Sequence, residues 1–297
     1  MAKVLISGAS GLIGSALARA LADRGDAVTR LVRRRPARPN EVQWDALREV
    51  APDVVSGFDA VVHLAGENIA ERWTPEQKRR IRESRVVSTQ NLVRAMLQAA
   101  KPPQSFICAS ATGYYGDRGE EILTEESRSG SGFLAEVCRE WEAAAEPAAQ
   151  VGIRIANLRL GIVLSVDGGA LKQMLLPFRL GLGGRIGNAR QWWSWIHIED
   201  AVGTILHVLN QRVEIRGPVN VVSPNPVTNA EFTKALARAL KRPALFRVPA
   251  FAARLAFGEL AREGMLASAR VVPKKLVESG FEFRYGELSA ALKCLVK

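Results

Sequence analysis

The apolar positions of this chain change period from one segment to the next. Val4-Leu5-Ile6 is a short continuous run of the kind a fully buried strand shows, and Leu12, Ile13, Leu17 and Leu21 then recur at helical spacing. Between them Gly8, Gly11 and Gly14 stand three apart, and Gly25 marks the end of the helix. The alternation continues along the chain. Ala27–Val32 reads as a strand, 59–66 as a buried strand ending in small residues, and 74–100 as a long, charged amphipathic helix. A strand at 105–110, a helix at 133–149, a strand at 152–164 and a helix from about Ala170 follow. Strands that alternate with helices predict an α/β fold, a Rossmann-like doubly wound parallel sheet. The glycine-rich stretch 181–187 interrupts the pattern, and helical signals dominate beyond Ser223-Pro224. We therefore expect a nucleotide-binding domain over 1–222, with 170–195 contributing to a smaller, mainly helical substrate lobe completed by 223–297.

The first twenty residues also imitate a secretory signal, because Lys3 precedes fifteen uncharged positions, Val4 to Ala18. A signal's apolar region has no reason to place glycines on a fixed period, so strand, glycine turn and helix is the better parse.

Composition is that of an ordinary globular protein, 47% hydrophobic and 24% charged, which excludes disorder and coiled coil. No apolar stretch approaches the roughly eighteen residues of a membrane-spanning helix. Cys108, Cys138 and Cys294 form no CxxC pair, which argues against a disulfide framework or a metal site and for a reducing compartment, the cytoplasm. Charge is more informative. Residues 1–150 hold 20 basic and 20 acidic side chains, so the whole net +11 lies in the second half. Such a half suits an anionic small-molecule partner. Its positive residues are scattered singly, with Lys241-Arg242 and Lys274-Lys275 the only doublets, rather than clustered with aromatics, so nucleic acid is not expected as a partner, and with no spanning stretch neither is a membrane.

The turn 8–14 has a definite chemistry. Its glycines allow a tight turn, a close approach of backbone to a pyrophosphate, and close packing of helix on strand, while the helix start offers free N–H groups and a positive dipole end. Gly8, Ser10, Gly11, Leu12, Ile13 and Gly14 are the expected phosphate contacts, with Leu64, Ala65 and Gly66 beside the adenosine ribose. After the second strand an NAD-binding protein would place a carboxylate for the ribose 2′-hydroxyl. Here Arg33-Arg34-Arg35 follows, and no carboxylate occurs before Glu41. A guanidinium there suits a 2′-phosphate, so the expected cofactor is NADP(H), held by Arg33 with help from Arg34.

These residues, with Ser110-Ala111-Thr112-Gly113-Tyr114-Tyr115-Gly116 and Ile196-His197-Ile198-Glu199-Asp200 in the same order, resemble the extended short-chain dehydrogenase/reductase superfamily, its epimerase and dehydratase branch. The strings at 64–69, 177–184 and 195–198 resemble the "epimerase family protein" subgroup, which carries a C-terminal domain of unknown function. The resemblance covers essentially the whole chain and implies NADP(H) on a Rossmann domain. It also implies that Glu67, Arg85 and Ile162 lie along the cofactor's edge.

The chain departs from the superfamily where chemistry is done. The usual acid–base group is a Tyr-x-x-x-Lys pair on the helix after the 105–110 strand, with a Ser or Thr nearby. Four residues beyond Tyr114, Tyr115 and Tyr285 stand Arg118, Gly119 and Ser289, so the pair is absent. The matching positions are Phe133 and Val137, and the Ser/Thr position falls on Ala111, flanked by Ser110 and Thr112. Ser110 and Tyr114 are the remaining candidates for proton transfer. His63 and His207 read as core, and His197 reads as structural on a strand shared with Trp195 and Glu199. Arg179 and Arg185 could meet a diphosphate, and Trp195 a base or sugar. Two function classes remain: an NADP-dependent oxidoreductase or epimerase-like enzyme with a rearranged proton donor, or a catalytically lapsed NADPH-binding sensor or scaffold.

Overall fold

A computed structural model describes residues 1–210 and 214–296. Seven parallel strands form its main sheet: β1 (Lys3–Ser7), β2 (Ala27–Val32), β3 (Glu41–Gln43), β4 (Ala60–His63), β5 (Ser105–Ala111), β6 (Arg154–Leu160) and β7 (Gly217–Val221). Their order is β7-β6-β5-β4-β1-β2-β3. The chain leaves β1 toward one edge and returns on its other side at β4, so the order reverses between these two strands, where open α/β sheets bind ligands. The expected doubly wound sheet is present.

Alternation within β1 decides which helices cover which face. Val4 and Ile6 point into a core with Leu17 and Leu21 of α1 (Leu12–Asp23) and with Ile205 and Val208 of the helix Ile198–Leu209. Leu5 points the other way, into a core with Leu92 and Met96 of α2 (Pro75–Gln98) and Trp141 of α3 (Phe133–Ala145). Thr74 caps α2, its hydroxyl accepting from the Gln77 N–H at 3.1 Å. A third core builds the lobe. It joins Leu171, Leu175 and Phe178 of α4 (Gly169–Arg179) to Trp193 and Trp195, and to Phe232 and Leu236 of the helix Asn229–Leu240.

Two expected elements are corrected. The strand read over 152–164 ends at Leu160 and resumes at Ile162 with a new partner, Trp195–His197. The break falls on Gly161, where a Cβ would lie 2.6 Å from the Ser194 carbonyl oxygen, so two segments of the chain approach at a separation only glycine allows. The alternation of Trp195, His197 and Glu199 also stops short. The strand ends at His197, which becomes the cap of the helix α5 (Ile198–Leu209), its Nδ1 accepting from the Glu199 N–H at 3.1 Å.

His63 is a core residue, as expected. Its ring is fully buried at the end of β4, with Nδ1 2.5 Å from Ser7 Oγ and Nε2 2.9 Å from Ser88 Oγ. Burial, with a smaller contribution from the charge of Arg85, pulls its pKa down to about 3. The unfolded chain therefore takes up a proton near pH 6.5 that the folded chain refuses until about pH 3, and stability falls as pH drops through that window. The expected slope from this residue is roughly 1.4 kcal/mol per pH unit. Urea unfolding of the protein and of His63→Gln between pH 7 and 4 checks this, and the variant should show the shallower decline.

Candidate functional site

The turn from β1 to α1 uses its three glycines for three purposes. Gly8 has φ of +71°, and a Cβ there would lie 2.6–2.7 Å from the Leu64-Ala65 backbone, so this glycine brings the ends of β1 and β4 together. A Cβ on Gly14 would lie 2.2 Å from the Gly8 carbonyl oxygen, so Gly14 seats the helix on the turn. At Gly11 a Cβ would meet only that oxygen, at 3.2 Å, and otherwise open space. Gly11 is also the cap of α1 and supplies no side chain to its N–H groups, and no acidic residue occupies the first turn. The first α-helical bond at this end runs from Ser15 N–H to Gly11, which leaves the N–H groups of Leu12, Ile13 and Gly14 directed outward. Open space over an uncapped helix start suits a dinucleotide's diphosphate.

Around this cradle the structure gathers most of the expected contacts. Leu64, Ala65 and Gly66 run past Gly8, and Glu67 is fixed by its own N–H donating to Ser84 Oγ at 2.9 Å. Arg85 folds under the segment, donating to the carbonyls of Ile81 and Glu67 at 3.1 and 3.0 Å and lying over the Trp141 ring. Among the described residues it has no carboxylate partner, and burial pulls its pKa below the usual arginine value. Carbonyl oxygens and an aromatic face, rather than a carboxylate, surround this cation. Ile162 starts the short strand beyond Gly161, and the loop after that strand passes over Leu12.

At the end of β2 the two arginines differ. Arg34 donates to the Glu41 carboxylate at 2.7 Å and to the Arg35 carbonyl at 2.9 Å, and Glu41 is held further by the Ala37 N–H. Those bonds, the one to Arg34 foremost, keep the Glu41 pKa below the usual carboxylate value. Arg33 is exposed and makes no hydrogen bond or ion pair within the described chain.

The region beyond β5 holds what the sequence reading missed. Arg159 on β6 makes a two-pronged bond to Glu142 on α3, with both contacts at 2.8 Å and the arginine side chain only 3% exposed. Burial opposes its charge, but the Glu142 bonds outweigh that and raise its pKa. Arg159 also donates to Tyr115 Oη at 2.9 Å and lies 3.5 Å over the Tyr114 ring. Tyr115 in turn donates to Asn220 on β7 at 2.7 Å, and its burial pushes the phenol up to about 12. Ser110 belongs to this cluster too, donating to Glu142 at 2.7 Å and being 2% exposed. Its hydroxyl is committed, whereas the half-buried Tyr114 hydroxyl makes no hydrogen bond with the described chain. The signal available in the sequence was a charged residue inside a largely apolar strand, Ile155 to Leu160, whose other polar member is Asn157.

Phe133 opens α3, its ring against Trp73 and within 5.1 Å of Lys78 Nζ, and Val137 is buried one turn on. The C-terminal segment reaches this helix start. Glu263 accepts from the Leu134 N–H at 3.0 Å, and Glu259 pairs with Lys78. The three remaining expected residues lie elsewhere. Arg179 and Arg185 are exposed on the lobe. Trp195, expected to meet a ligand, is fully buried in the lobe core and donates its indole N–H to Asn225, so it has no surface to offer.

Sheet order, glycine turn and uncapped helix together define a dinucleotide-binding protein of Rossmann type. Residues 4–222 match the NAD dependent epimerase/dehydratase family, to which the chain belongs, and residues 248–295 match a domain of unknown function, DUF1731. The chain is 43% identical over 293 residues to an epimerase family protein of Mycobacterium leprae, covering 98% of this chain and 94% of that one. It is 37% identical over 298 residues to human epimerase family protein SDR39U1, covering 99% of each. The crystal structure of that human protein (isoform 2) with NADPH superposes with a TM-score of 0.89 at 34% identity, covering 99% of both chains. A nucleoside-diphosphate sugar epimerase from Corynebacterium glutamicum superposes at 0.82 with 39% identity, over 99% of this chain and 58% of that one.

Removing one partner of the buried pair should be costly. Glu142→Ala leaves the Arg159 guanidinium inside the protein without a counter-charge, and such losses run to about 3–5 kcal/mol. Urea unfolding measures this, and a change below about 1 kcal/mol would show that water reaches Arg159 freely.

Proposed function

We propose that this protein is an NADP(H)-dependent oxidoreductase or epimerase-like enzyme that acts on an anionic small molecule without a Tyr-x-x-x-Lys pair. The cofactor reading rests on the phosphate cradle at Gly11 together with the unpaired Arg33 at the end of β2. Leu12, Ile13 and Gly14 would offer N–H groups to the diphosphate, and Arg33 would face the 2′-phosphate while Arg34 stays with Glu41. Bound there, NADP(H) supplies or accepts a hydride. The human relative described above was crystallised with NADPH, which supports the same choice here.

Arg33 should make NADPH bind more tightly than NADH. A charge-assisted bond contributes about 1.5–3 kcal/mol, or roughly ten- to a hundred-fold in affinity. Calorimetric titration of both cofactors tests this, with Gly11→Val as the control that should lose both while remaining folded. Equal affinities, or a preference that survives Arg33→Asp, would remove the assignment.

For acid–base work, Phe133 has no proton to give and Ser110 is held by Glu142. Thr112 and Tyr114 are the protic groups left at the end of β5, and of the two the tyrosine has its ring fixed against Arg159. Arg159 would orient that hydroxyl, and the lobe's excess of positive charge would draw in an anionic substrate. Turnover followed by NADPH absorbance, across phosphorylated and nucleotide-linked carbonyl compounds, tests the enzyme reading. Tyr114→Phe should lower kcat about 10²–10⁴-fold with NADPH affinity unchanged. UDP-sugar epimerisation that is indifferent to this change would refute the assignment. Tight NADPH binding with no turnover on any member of the panel would favour a sensor or scaffold.

A further inference from the structure

Outside the cofactor site, one part of the lobe combines two features that seldom coexist by accident. Leu180, Leu182, Leu245 and Phe246 are 65%, 56%, 85% and 53% exposed. Their two segments are held together, because Gly184–Ile186 pairs in parallel with Phe246–Val248 and a Cβ on Gly184 would fall 2.9 Å from that of Phe246. Beside them, at the end of α6 (Asn229–Leu240), is a surface basin of about 350 Å³. Five of the residues lining it are Arg185, Lys234, Arg238, Lys241 and Arg242, and no carboxylate lines it. None of the five makes an ion pair among the described residues, although exposed arginines elsewhere, such as Arg79 and Arg284, do. The basin and the apolar residues share the stretch 242–246, so cations and protruding leucines form one continuous face.

We propose that this face rests on an anionic phospholipid surface, with headgroup phosphates in the basin and the four apolar side chains entering the boundary of the acyl region. Unpaired cations call for an anionic partner, and exposed leucines and phenylalanine call for one that is also apolar. An anionic bilayer surface offers both. A second copy of the chain is disfavoured, since symmetric pairing would set the same five cations against each other. Side chains that stand clear of the surface also suit a deformable acceptor, which needs no matched pocket. Among the described residues no helix is long and apolar enough to cross a membrane. Contact with a bilayer surface requires no crossing.

Flotation of the full chain with phosphatidylcholine vesicles, with and without 30% phosphatidylglycerol, tests the proposal. Binding should require phosphatidylglycerol and weaken with salt. Each basic residue near an anionic surface contributes about fivefold to partitioning, so Arg238→Gln with Lys241→Gln and Arg242→Gln should lower it about a hundred-fold. Leu245→Ser with Phe246→Ser should weaken binding at unchanged net charge, with NADPH affinity and thermal midpoint showing that both variants fold. No binding to anionic vesicles, or binding that neither variant changes, would overturn the proposal. Self-association of the unmodified chain that the Leu245/Phe246 variant abolishes, without vesicle binding, would assign the face to a second copy.

Discussion

The Arg159–Glu142 pair ties together the part of the molecule on which any chemistry would stand. One guanidinium joins β6 to α3, reaches β7 through Tyr115 and Asn220, and lies over Tyr114, while the carboxylate also holds Ser110 of β5. A buried ion pair is a poor source of net stability, because its desolvation offsets most of the attraction. Its value here is geometric. A planar fork bonded twice to a carboxylate has one orientation, so the tyrosine beneath it has a fixed floor.

The cofactor cradle achieves rigidity by the opposite means, through close approach of backbone rather than side-chain bonding. Gly8 against Leu64-Ala65 and Gly14 against Gly8 leave no room for a methyl group. The one glycine with space around it is the one whose space a phosphate would fill. Cradle and tyrosine lie at the same, carboxyl end of the sheet's strands, both following strands that end there, which is how a parallel sheet brings distant stretches of sequence to one place.

The sheet and the cradle were largely legible in the sequence, because buried strands and the glycine spacing are local patterns. Glu41–Gln43 and Gly217–Val221 were not read as strands: the first has three residues, and the second opens on Gly217-Pro218 and carries Asn220, so neither shows an apolar run. Trp195 was misplaced because a tryptophan in a core and one stacked on a ligand look alike in sequence. The commitment of Ser110 to Glu142 was invisible, since the two are 32 positions apart and meet only once α3 packs on β5. Arg159 was visible as an anomaly, but its partner was not.

The cap that Glu263 places on α3 comes from 129 residues away in the chain. In the order of assembly, the first turn of α3 is completed only after the last quarter of the polypeptide has arrived. The sheet itself is already a slow topology, since each parallel pairing closes a long loop before any contact repays the lost entropy. During synthesis the Rossmann half would leave the ribosome with the Leu134 N–H at the start of α3 still without its Glu263 partner. The C-terminal segment thus acts as the final fastener of a helix that belongs, by sequence position, to the domain before it.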